Sequence, residues 1–347
     1  MKALLCEASG RTRITDVPVP ALRAGEALVA TEVCGLCGSD LLKLNPSAHS
    51  KPGPLGHEVA GRVAALGRGV RGFKVGDRVV VAHHVPCYEC HYCRRGSVSM
   101  CRDFKRTNLD PGGFAEFVRV SAGHVKHTML RLPPRVGFAQ ATLVEPIACA
   151  VRNLRRLNPQ KGDTVVVIGL GFIGLIMSRL LQLKGARVVG LEIDPARIRT
   201  ARTLGVPRAF PGWGPTAKAA VAKLSAGRGA DSVVFTAGPV ALVGECLSWL
   251  RDGGTVNVFA SFSLADPFAR VDMNQVYHRE LTLLTGYSAE PRDLREALRL
   301  LAAKKIDARP FVRWSYRLDE FDEALRRFRS REILKAVFRL RPQGDSR

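Results

Sequence analysis

The chain has 347 residues, of which 46% are apolar, and a formal net charge of +22 at pH 7. This length is sufficient for two domains with separate cores, and no apolar run approaches the roughly 18 residues that a membrane span needs. The arginines are spread at helical spacings among alanines and leucines, which predicts solvated helix faces and no nucleic-acid or membrane partner. The N-terminal segment alternates like an edge strand and carries Glu7 and Arg11 where a signal peptide would be apolar, so a cytoplasmic location is expected.

Residues 1–130 are predicted to be rich in β-structure. Short runs of apolar or alternating residues lie between glycines and prolines, which is typical of a barrel-like region. The predicted strands are ALVATEVCG, HEVAGRVAAL, DRVVVAH and FAEFVRV.

A cluster of four cysteines lies within this β-rich region. Cys87, Cys90, Cys93 and Cys101 give the spacing C-x2-C-x2-C-x7-C. Four thiolates so placed can surround one tetrahedral zinc and leave no open coordination position, so the predicted site is structural. Three alternatives fit less well. A disulfide knot needs an oxidising compartment, an iron–sulfur run of this type ends in C-x3-C-P, and a nucleic-acid-binding zinc ribbon pairs two C-x2-C knuckles at a longer separation.

The pattern changes near residue 142 to alternating buried strands and helices. TVVVI is followed by a glycine loop and the helix LIMSRLLQL, and ARVVGLEI by the helix PARIRTARTLG, with further strands at SVVFTA and GTVNVFA. This alternation predicts a doubly wound parallel sheet, an α/β fold. From about residue 287 the pattern is mixed, with helices predicted at RDLREALRLLAA and LDEFDEALRRFR and a last strand at LKAVFRL.

The glycine loop carries a dinucleotide-binding motif between a buried strand and a helix. The motif consists of Gly169, Leu170, Gly171, Phe172, Ile173 and Gly174. In this context the first glycine makes the tight turn, the second admits a pyrophosphate, and the third lets the helix pack on the strand. The motif therefore predicts a bound dinucleotide.

Glu192 ends the second strand of this segment. A carboxylate there can accept hydrogen bonds from both adenosine-ribose hydroxyls and repels a 2′-phosphate, so NAD is expected in preference to NADP. Asp194 is a rival for this role, although Asp194 followed by proline is also typical of a helix N-cap. Arg197 is placed to reach a ribose oxygen or to lie at the surface.

Two further motifs in the β-rich region complete a pattern that resembles the zinc-dependent medium-chain dehydrogenases. CGLCGSD, GHE, FKVGDRVVV, the four-cysteine segment, LVEPIACA and GLGFIG occur in that family's order, over essentially the whole chain. Within the family, the sequence is most similar to the sorbitol and threonine dehydrogenase branch. The resemblance implies a GroES-like β-barrel catalytic domain over residues 1–148 and 287–347, with a structural-zinc lobe at 84–104, and a Rossmann NAD-binding domain over 149–286.

The resemblance also implies the ligands of a catalytic zinc with one position open to water or substrate. Cys37 and His57 match two ligand positions. Glu58 and Glu145 match the two carboxylates that bind zinc in this branch, directly or through its water, and the sequence does not rank them.

Ser39 and Asp40 match two supporting positions next to these ligands. The Ser39 hydroxyl is expected to take the proton of the substrate alcohol, and the Asp40 carboxylate to orient the zinc-bound histidine. Leu42 stands where liver-type enzymes have a relay histidine, and His49 is the only imidazole in the segment that follows. Cys34 matches no ligand position and is expected to be a small buried residue.

These inferences predict an enzyme that binds two zinc ions per chain and transfers hydride from a secondary alcohol to NAD, giving a ketone. A polyol, sugar or cyclitol-like substrate is expected, because the carboxylate ligands and the polar segment with Lys43, Asn45 and Ser47 suit vicinal hydroxyls. L-Threonine or another amino alcohol is the alternative substrate, and a zinc-ribbon nucleic-acid binder the non-enzymatic alternative. A homo-oligomer, most simply a tetramer, is expected to form through the edge strand assigned to GTVNVFASF.

Overall fold

A computed structural model describes residues 1–7, 9–45, 54–262 and 266–341. The chain divides into two compact units, formed by Met1–Ala148 with Ala289–Arg347 and by Cys149–Ser288. The second division lies two residues beyond the position predicted from the sequence, at residue 287. Within the described ranges, no helix combines the length and the apolar character needed to cross a lipid bilayer.

The strands and helices follow one another in a regular order. The strands are β1 (Lys2–Cys6), β2 (Thr12–Asp16), β3 (Ala27–Gly35), β4 (Glu58–Leu66), β5 (Arg78–Ala82), β6 (Phe117–Val120), β7 (Met129–Arg131), β8 (Thr164–Ile168), β9 (Arg187–Glu192), β10 (Ala209–Pro211), β11 (Ala230–Phe235), β12 (Leu250–Val258), β13 (Thr282–Thr285), β14 (Ser315–Arg317) and β15 (Val337–Arg339). The helices are α1 (Gly38–Lys43), α2 (His91–Arg94), α3 (Arg102–Arg106), α4 (Ala122–His127), α5 (Phe138–Ala141), α6 (Val144–Leu157), α7 (Phe172–Leu183), α8 (Pro195–Thr203), α9 (Pro215–Ser225), α10 (Leu242–Glu245), α11 (Met273–His278), α12 (Pro291–Ala302) and α13 (Phe321–Arg329).

The first unit is built on a seven-stranded sheet in the order β14-β15-β3-β4-β5-β7, with β6 also paired to β3. All pairings in it are antiparallel except that of β14 with β15. Valines and other apolar residues of these strands are buried against aromatic residues from the loops and from α13. The β-rich unit predicted from the sequence is therefore present.

The register of this sheet brings four strand ends together. Gly35, at the end of β3, lies opposite Glu58 at the start of β4, and Glu58 lies opposite Ala82 at the end of β5. On the other side of β3, Val337 at the start of β15 also lies opposite Gly35. Residues just before or after these positions are therefore neighbours in space, although hundreds of residues separate some of them in the chain.

The second unit is a six-stranded parallel sheet in the order β10-β9-β8-β11-β12-β13. Its central strand β8 is fully buried, and helix α7 contacts both β8 and β9. This is the doubly wound Rossmann arrangement predicted from the alternation of strands and helices.

The prediction of which strand forms the edge of this sheet was wrong. The segment GTVNVFASF contributes to β12, which is paired with β11 on one side and with β13 on the other. The edge is β13, a four-residue strand in which the Leu283 side chain is 60% exposed. So short a strand, directly after a helix, leaves too few residues to show a strand periodicity.

Candidate metal centre and cofactor site

Three candidate ligands meet at the end of β3 and the start of β4. Donor atoms of Cys37, His57 and Glu58 all lie within 4.8 Å of one another. Cys37 is the N-cap residue of α1, whereas Glu58 begins β4. Both His57 and Glu58 are buried, at 3% and 0% exposure. A thiolate, an imidazole and a carboxylate are ligand types that zinc accepts together.

Asp40 holds the two ligand segments in place. One of its carboxylate oxygens accepts a hydrogen bond from Cys37 N and the other from Gly56 N, both at 3.1 Å. The second oxygen also lies 3.4 Å from His57 Nδ1. Burial raises the pKa of Asp40, but the His57 imidazole and the Lys43 ammonium outweigh it and keep this pKa below its usual range. A proton kept on Nδ1 leaves His57 Nε2 as the metal-facing atom.

The Glu58 carboxylate is fixed by one oxygen and open at the other. Its Oε1 accepts a 2.5 Å hydrogen bond from Lys335 Nζ, while Oε2 is buried and has no hydrogen-bond partner among the described residues. A Cβ atom at position 35 would lie 2.0 Å from Oε2, so Gly35 is what makes room for the carboxylate. An orphaned carboxylate oxygen beside a thiolate and an imidazole fits a bound zinc.

Lys335 is a residue that sequence reasoning missed. It is 3% exposed, and its ammonium also donates to Leu36 O at 2.8 Å. Burial lowers the pKa of Lys335, but the charges of Glu58, Cys37 and Glu145 raise it above its ordinary value. The sequence feature that could have indicated this role is a lysine at the start of the predicted strand LKAVFRL.

Glu145 lies close to this site but does not join the donor group. It sits in the first turn of α6 and is 6% exposed. Among the described residues, the donor atoms that lie within 4.8 Å of one another include a carboxylate oxygen of Glu58, and the ranking of Glu58 against Glu145 as a zinc ligand stays a prediction.

Ser39 is exposed, and its hydroxyl lies 3.4 Å from His57 Nε2. Leu42, on the same short helix α1, is 44% exposed. The remaining imidazole of this region in the sequence, His49, falls outside the described residues, as does Ser47.

Two histidines that sequence reasoning did not single out follow β5. The ring of His83 lies 4.5 Å from the ring of His57 and 3.7 Å from the ring of His84, measured between centroids. Burial, followed by the nearby His57, His84 and Lys43, holds the pKa of His83 well below its ordinary value. The sequence feature that could have indicated their place near the metal centre is the pair of histidines directly after a predicted strand.

The four cysteines of residues 84–104 form a second donor group. Their sulfur atoms all lie within 4.8 Å of one another, and none of the four is in a disulfide. Cys87 Sγ lies 3.5 Å from Cys101 Sγ and 4.0 Å from Cys93 Sγ, close to the separation of about 3.8 Å in a tetrahedral zinc–thiolate site. The N–H groups of Glu89 and Cys90 both donate to Cys87 Sγ at 3.4 Å, which stabilises a thiolate.

The glycine motif of the second unit has the backbone that a pyrophosphate site requires. Gly169 has a φ of +82°, and a Cβ atom at Gly174 would lie 1.8 Å from Gly169 O. At Gly171, by contrast, a Cβ atom would meet only Arg197 Nη1, at 3.6 Å. The middle glycine therefore leaves open space at the N-terminus of α7, with the Arg197 guanidinium beside it.

Glu192 and Asp194 have different local roles. Glu192 Oε2 accepts a hydrogen bond from Leu170 N at 3.0 Å, which ties the end of β9 to the glycine loop. Asp194 is the N-cap of α8, since its carboxylate accepts from Ala196 N at 2.8 Å. Glu192 is thus the carboxylate held at the glycine loop.

Comparison with known proteins identifies the family. Residues 23–133 match the alcohol dehydrogenase GroES-like domain, and residues 173–303 match the zinc-binding dehydrogenase domain. The sorbitol dehydrogenase of Halalkalibacterium halodurans is 31% identical over 97% of this chain and 98% of its own length. The chain belongs to the zinc-dependent medium-chain alcohol dehydrogenases.

Other members of this family agree over the full length. D-Arabinitol dehydrogenase 1 of Uromyces fabae is 32% identical over 96% of both chains. The structure of alcohol dehydrogenase TADH from Thermus sp. ATN1 superposes with a TM-score of 0.87 at 27% identity, covering 98% of this chain and all of the other. The predicted family and fold class are confirmed, and the chain is an oxidoreductase of the zinc-type alcohol dehydrogenases.

Proposed function

We propose that this chain oxidises a secondary alcohol with neighbouring hydroxyl groups to a ketone, with NAD as hydride acceptor and two zinc ions per chain. One observation carries the proposal: the donor atoms of Cys37, His57 and Glu58 lie within 4.8 Å of one another in a chain of this family. The third donor of this group is a carboxylate, and a carboxylate is a good acceptor for a second hydroxyl of the substrate.

Cys37 Sγ, His57 Nε2 and Glu58 Oε2 would hold the catalytic zinc. Bound there, zinc supplies Lewis-acid chemistry that favours loss of the alcohol proton. The Asp40 carboxylate lies 3.4 Å from His57 Nδ1 and favours a proton on that atom, and Lys335 fixes the Glu58 carboxylate by its other oxygen. These two contacts preorganise the ligands.

Ser39 is proposed as the group that accepts the substrate proton. Its hydroxyl lies 3.4 Å from His57 Nε2 in an exposed residue, so it can accept the substrate proton while its own proton passes to water. Glu145 is proposed as a carboxylate of the same site that acts at a distance or through water, because it lies outside the donor group.

The NAD proposal is supported by the second unit. Gly169, Gly171 and Gly174 leave room for the pyrophosphate at the start of α7, and Phe172 and Ile173 begin that helix. The Glu192 carboxylate accepts hydrogen bonds from Leu170 N, Ile193 N and Asp194 N, so about one of its four acceptor positions remains for a ribose hydroxyl. Bound NAD supplies the hydride acceptor. Arg197, beside Gly171, is proposed to contact a ribose or phosphate oxygen.

The substrate class is proposed from the site and from the relatives. Two relatives of about 30% identity are named for sorbitol and D-arabinitol, both polyols. The exposed Asn45 and half-buried Lys43 also make this part of the first unit polar. L-Threonine or another amino alcohol is the second class to include in any substrate panel.

Two further proposals concern the structural zinc and the assembly. Cys87, Cys90, Cys93 and Cys101 would hold a zinc that stabilises residues 84–104. The chain is also proposed to form a homo-oligomer, most simply a tetramer, through the side of the edge strand β13 that pairs with no strand among the described residues, where Leu283 is exposed. Light scattering at micromolar concentration tests the assembly, and a monomeric mass would contradict it.

Steady-state kinetics test the central proposal. A panel of polyols, cyclitols, amino alcohols and simple alkanols should give the highest kcat/KM with a polyol or cyclitol and NAD. Cys37→Ser should abolish turnover and leave the fold intact, whereas Cys6→Ser, a partly buried cysteine outside both donor groups, should not. Full activity of Cys37→Ser, or a better kcat/KM for an alkanol of equal length, would contradict the proposal.

A further inference from the structure

His83 occupies a built position beside the metal centre. It follows β5, whose last residue Ala82 lies opposite Glu58. The His83 ring packs 4.5 Å from the ring of His57 on one side and 3.7 Å from that of His84 on the other. An imidazole is thus packed at a tilt of 47° against one of the proposed zinc ligands.

The surroundings of His83 fix its position. His124 is fully buried, and its Nε2 donates to the backbone carbonyl of His83 at 2.8 Å. His124 Nδ1 then accepts from the Ser121 hydroxyl at 2.7 Å. On the other side, His84 Nδ1 lies 2.9 Å from the Thr107 carbonyl, so the ring that backs His83 is also held.

The Nδ1 atom of His83 is nevertheless left without a partner. It is buried and makes no hydrogen bond within the part of the chain that the structure describes. A buried polar atom without a partner is costly, and a phenylalanine of similar shape would avoid that cost. The neighbouring histidines His84 and His124 make hydrogen bonds, and His57 Nδ1 lies 3.4 Å from the Asp40 carboxylate. Among these four imidazoles, His83 thus has a buried nitrogen with neither a hydrogen bond nor a carboxylate beside it in the described residues, where a ligand can supply the partner.

We infer that His83 is a specificity-determining residue whose Nδ1 hydrogen-bonds a second hydroxyl of the substrate, next to the one that is oxidised. The inference rests on the proposed function, because a substrate held at Cys37, His57 and Glu58 lies beside the ring that packs against His57. A hydroxyl group both donates and accepts, so it satisfies Nδ1 in either tautomer. A simple alkanol has no second hydroxyl and leaves Nδ1 unpaired.

Three substitutions at this position test the inference with a vicinal diol and a mono-ol of equal length, such as 2,3-butanediol and 2-butanol. His83→Phe keeps the ring and removes the nitrogen. His83→Asn places a polar atom close to the position of Nδ1, whereas His83→Gln places it close to Nε2. The ratio of kcat/KM for diol over mono-ol should fall roughly tenfold to a hundredfold in His83→Phe, recover largely in His83→Asn and stay low in His83→Gln.

A second measurement separates this role from a structural one. In thermal unfolding without substrate, His83→Phe should be at least as stable as the wild-type protein and bind the same amount of zinc. Addition of the diol should raise the Tm of the wild-type protein and not that of the variant. His278→Phe, at an exposed histidine of the second unit, serves as a control with unchanged ratio and stability.

Each outcome decides a separate point. An unchanged ratio in His83→Phe, with a wild-type protein that prefers the diol, overturns the inference and leaves the proposed function intact. A destabilised His83→Phe variant that loses activity equally with both alcohols assigns His83 a structural role and also overturns it. A wild-type protein that prefers the mono-ol overturns the proposed function and this inference together.

Discussion

Replacement of Lys335 by methionine should destabilise the first unit strongly. Lys335 and Glu58 are 3% and 0% exposed, and their side chains meet at 2.5 Å. Methionine keeps much of the aliphatic length of lysine but removes the charge, so the Glu58 carboxylate is left buried without its cation. Removal of one partner of a buried ion pair costs about 3–5 kcal/mol, because the remaining charge is neither solvated nor paired.

The size of this effect should depend on zinc. A metal held at Glu58 Oε2 offers the carboxylate a second cation, so zinc-replete Lys335→Met should lose less stability than the same variant after chelation. For a unit of roughly 200 residues, 1 kcal/mol corresponds to about 2–4 °C in Tm, which predicts a fall of roughly 6–20 °C in the chelated protein. Calorimetry or circular dichroism on zinc-replete and chelated samples gives both values.

A double-mutant cycle and a surface control complete the test. Glu58→Gln removes the partner charge, so adding Lys335→Met to it should cost much less than Lys335→Met alone. Lys2→Met breaks an ion pair with Asp16 in which both side chains are more than half exposed, and it should cost less than about 1 kcal/mol. Two results would refute this reasoning. One is a chelated Lys335→Met protein that is as stable as the Lys2→Met control. The other is a double variant whose loss of stability equals the sum of the losses in the two single variants.

Elemental analysis should find two zinc ions per chain, one of them resistant to chelators. Cys90→Ser should remove only the resistant zinc and should lower the stability of the protein. A single zinc ion in the untreated protein would contradict this prediction. Glu192→Ala should reduce the preference for NAD over NADP roughly tenfold to a few hundredfold, measured as the ratio of kcat/KM values, and an unchanged ratio would exclude Glu192 from ribose recognition. Burial lowers the pKa of His84 from 6.5 to about 4. Between these pH values the unfolded chain binds a proton at His84 that the folded chain does not. The free energy of unfolding should therefore fall by about 3 kcal/mol as the pH is lowered from 6.5 towards 4. His84→Asn should flatten that part of the stability profile and His278→Asn should not. Leu283→Lys should shift the mass measured by light scattering towards the monomer, and an unchanged oligomer would move the interface away from β13.

The elements that the sequence predicted well are those with strong local signals. The run ALVATEVCG matches β3 and TVVVI matches β8 residue for residue, because turn residues or a glycine loop bound each apolar run. The four-residue edge strand β13 gave no such signal, so the apolar run of β12 was taken for the edge of the sheet. Local pattern identifies a strand, whereas its place in the sheet depends on partners far away in sequence.

The same distinction applies to the site. Cys37 and His57 stand in short motifs that can be recognised in the sequence, and their donor atoms lie within 4.8 Å of one another. The roles of Lys335 and His83 depend on register. Lys335 meets Glu58 across 277 residues of chain because β15 and β4 both pair with β3. No local pattern encodes that contact.

The placement of these residues also explains how one fold can serve different alcohols. The proposed ligands, Lys335 and His83 lie just beyond or at the ends of strands β3, β4, β5 and β15, while the interior positions of the same strands form the apolar core. A substitution at a strand end therefore alters the chemistry at the metal without removing core packing, and the two can vary independently.

His83 is where this separation should be clearest. Its backbone is held by His124 and its ring by neighbouring rings, so the hydrogen-bonding capacity of Nδ1 can be removed without loss of stability. Lys335 is the opposite case, because its charge serves both the ligand and the fold, and its loss should affect metal binding and stability together.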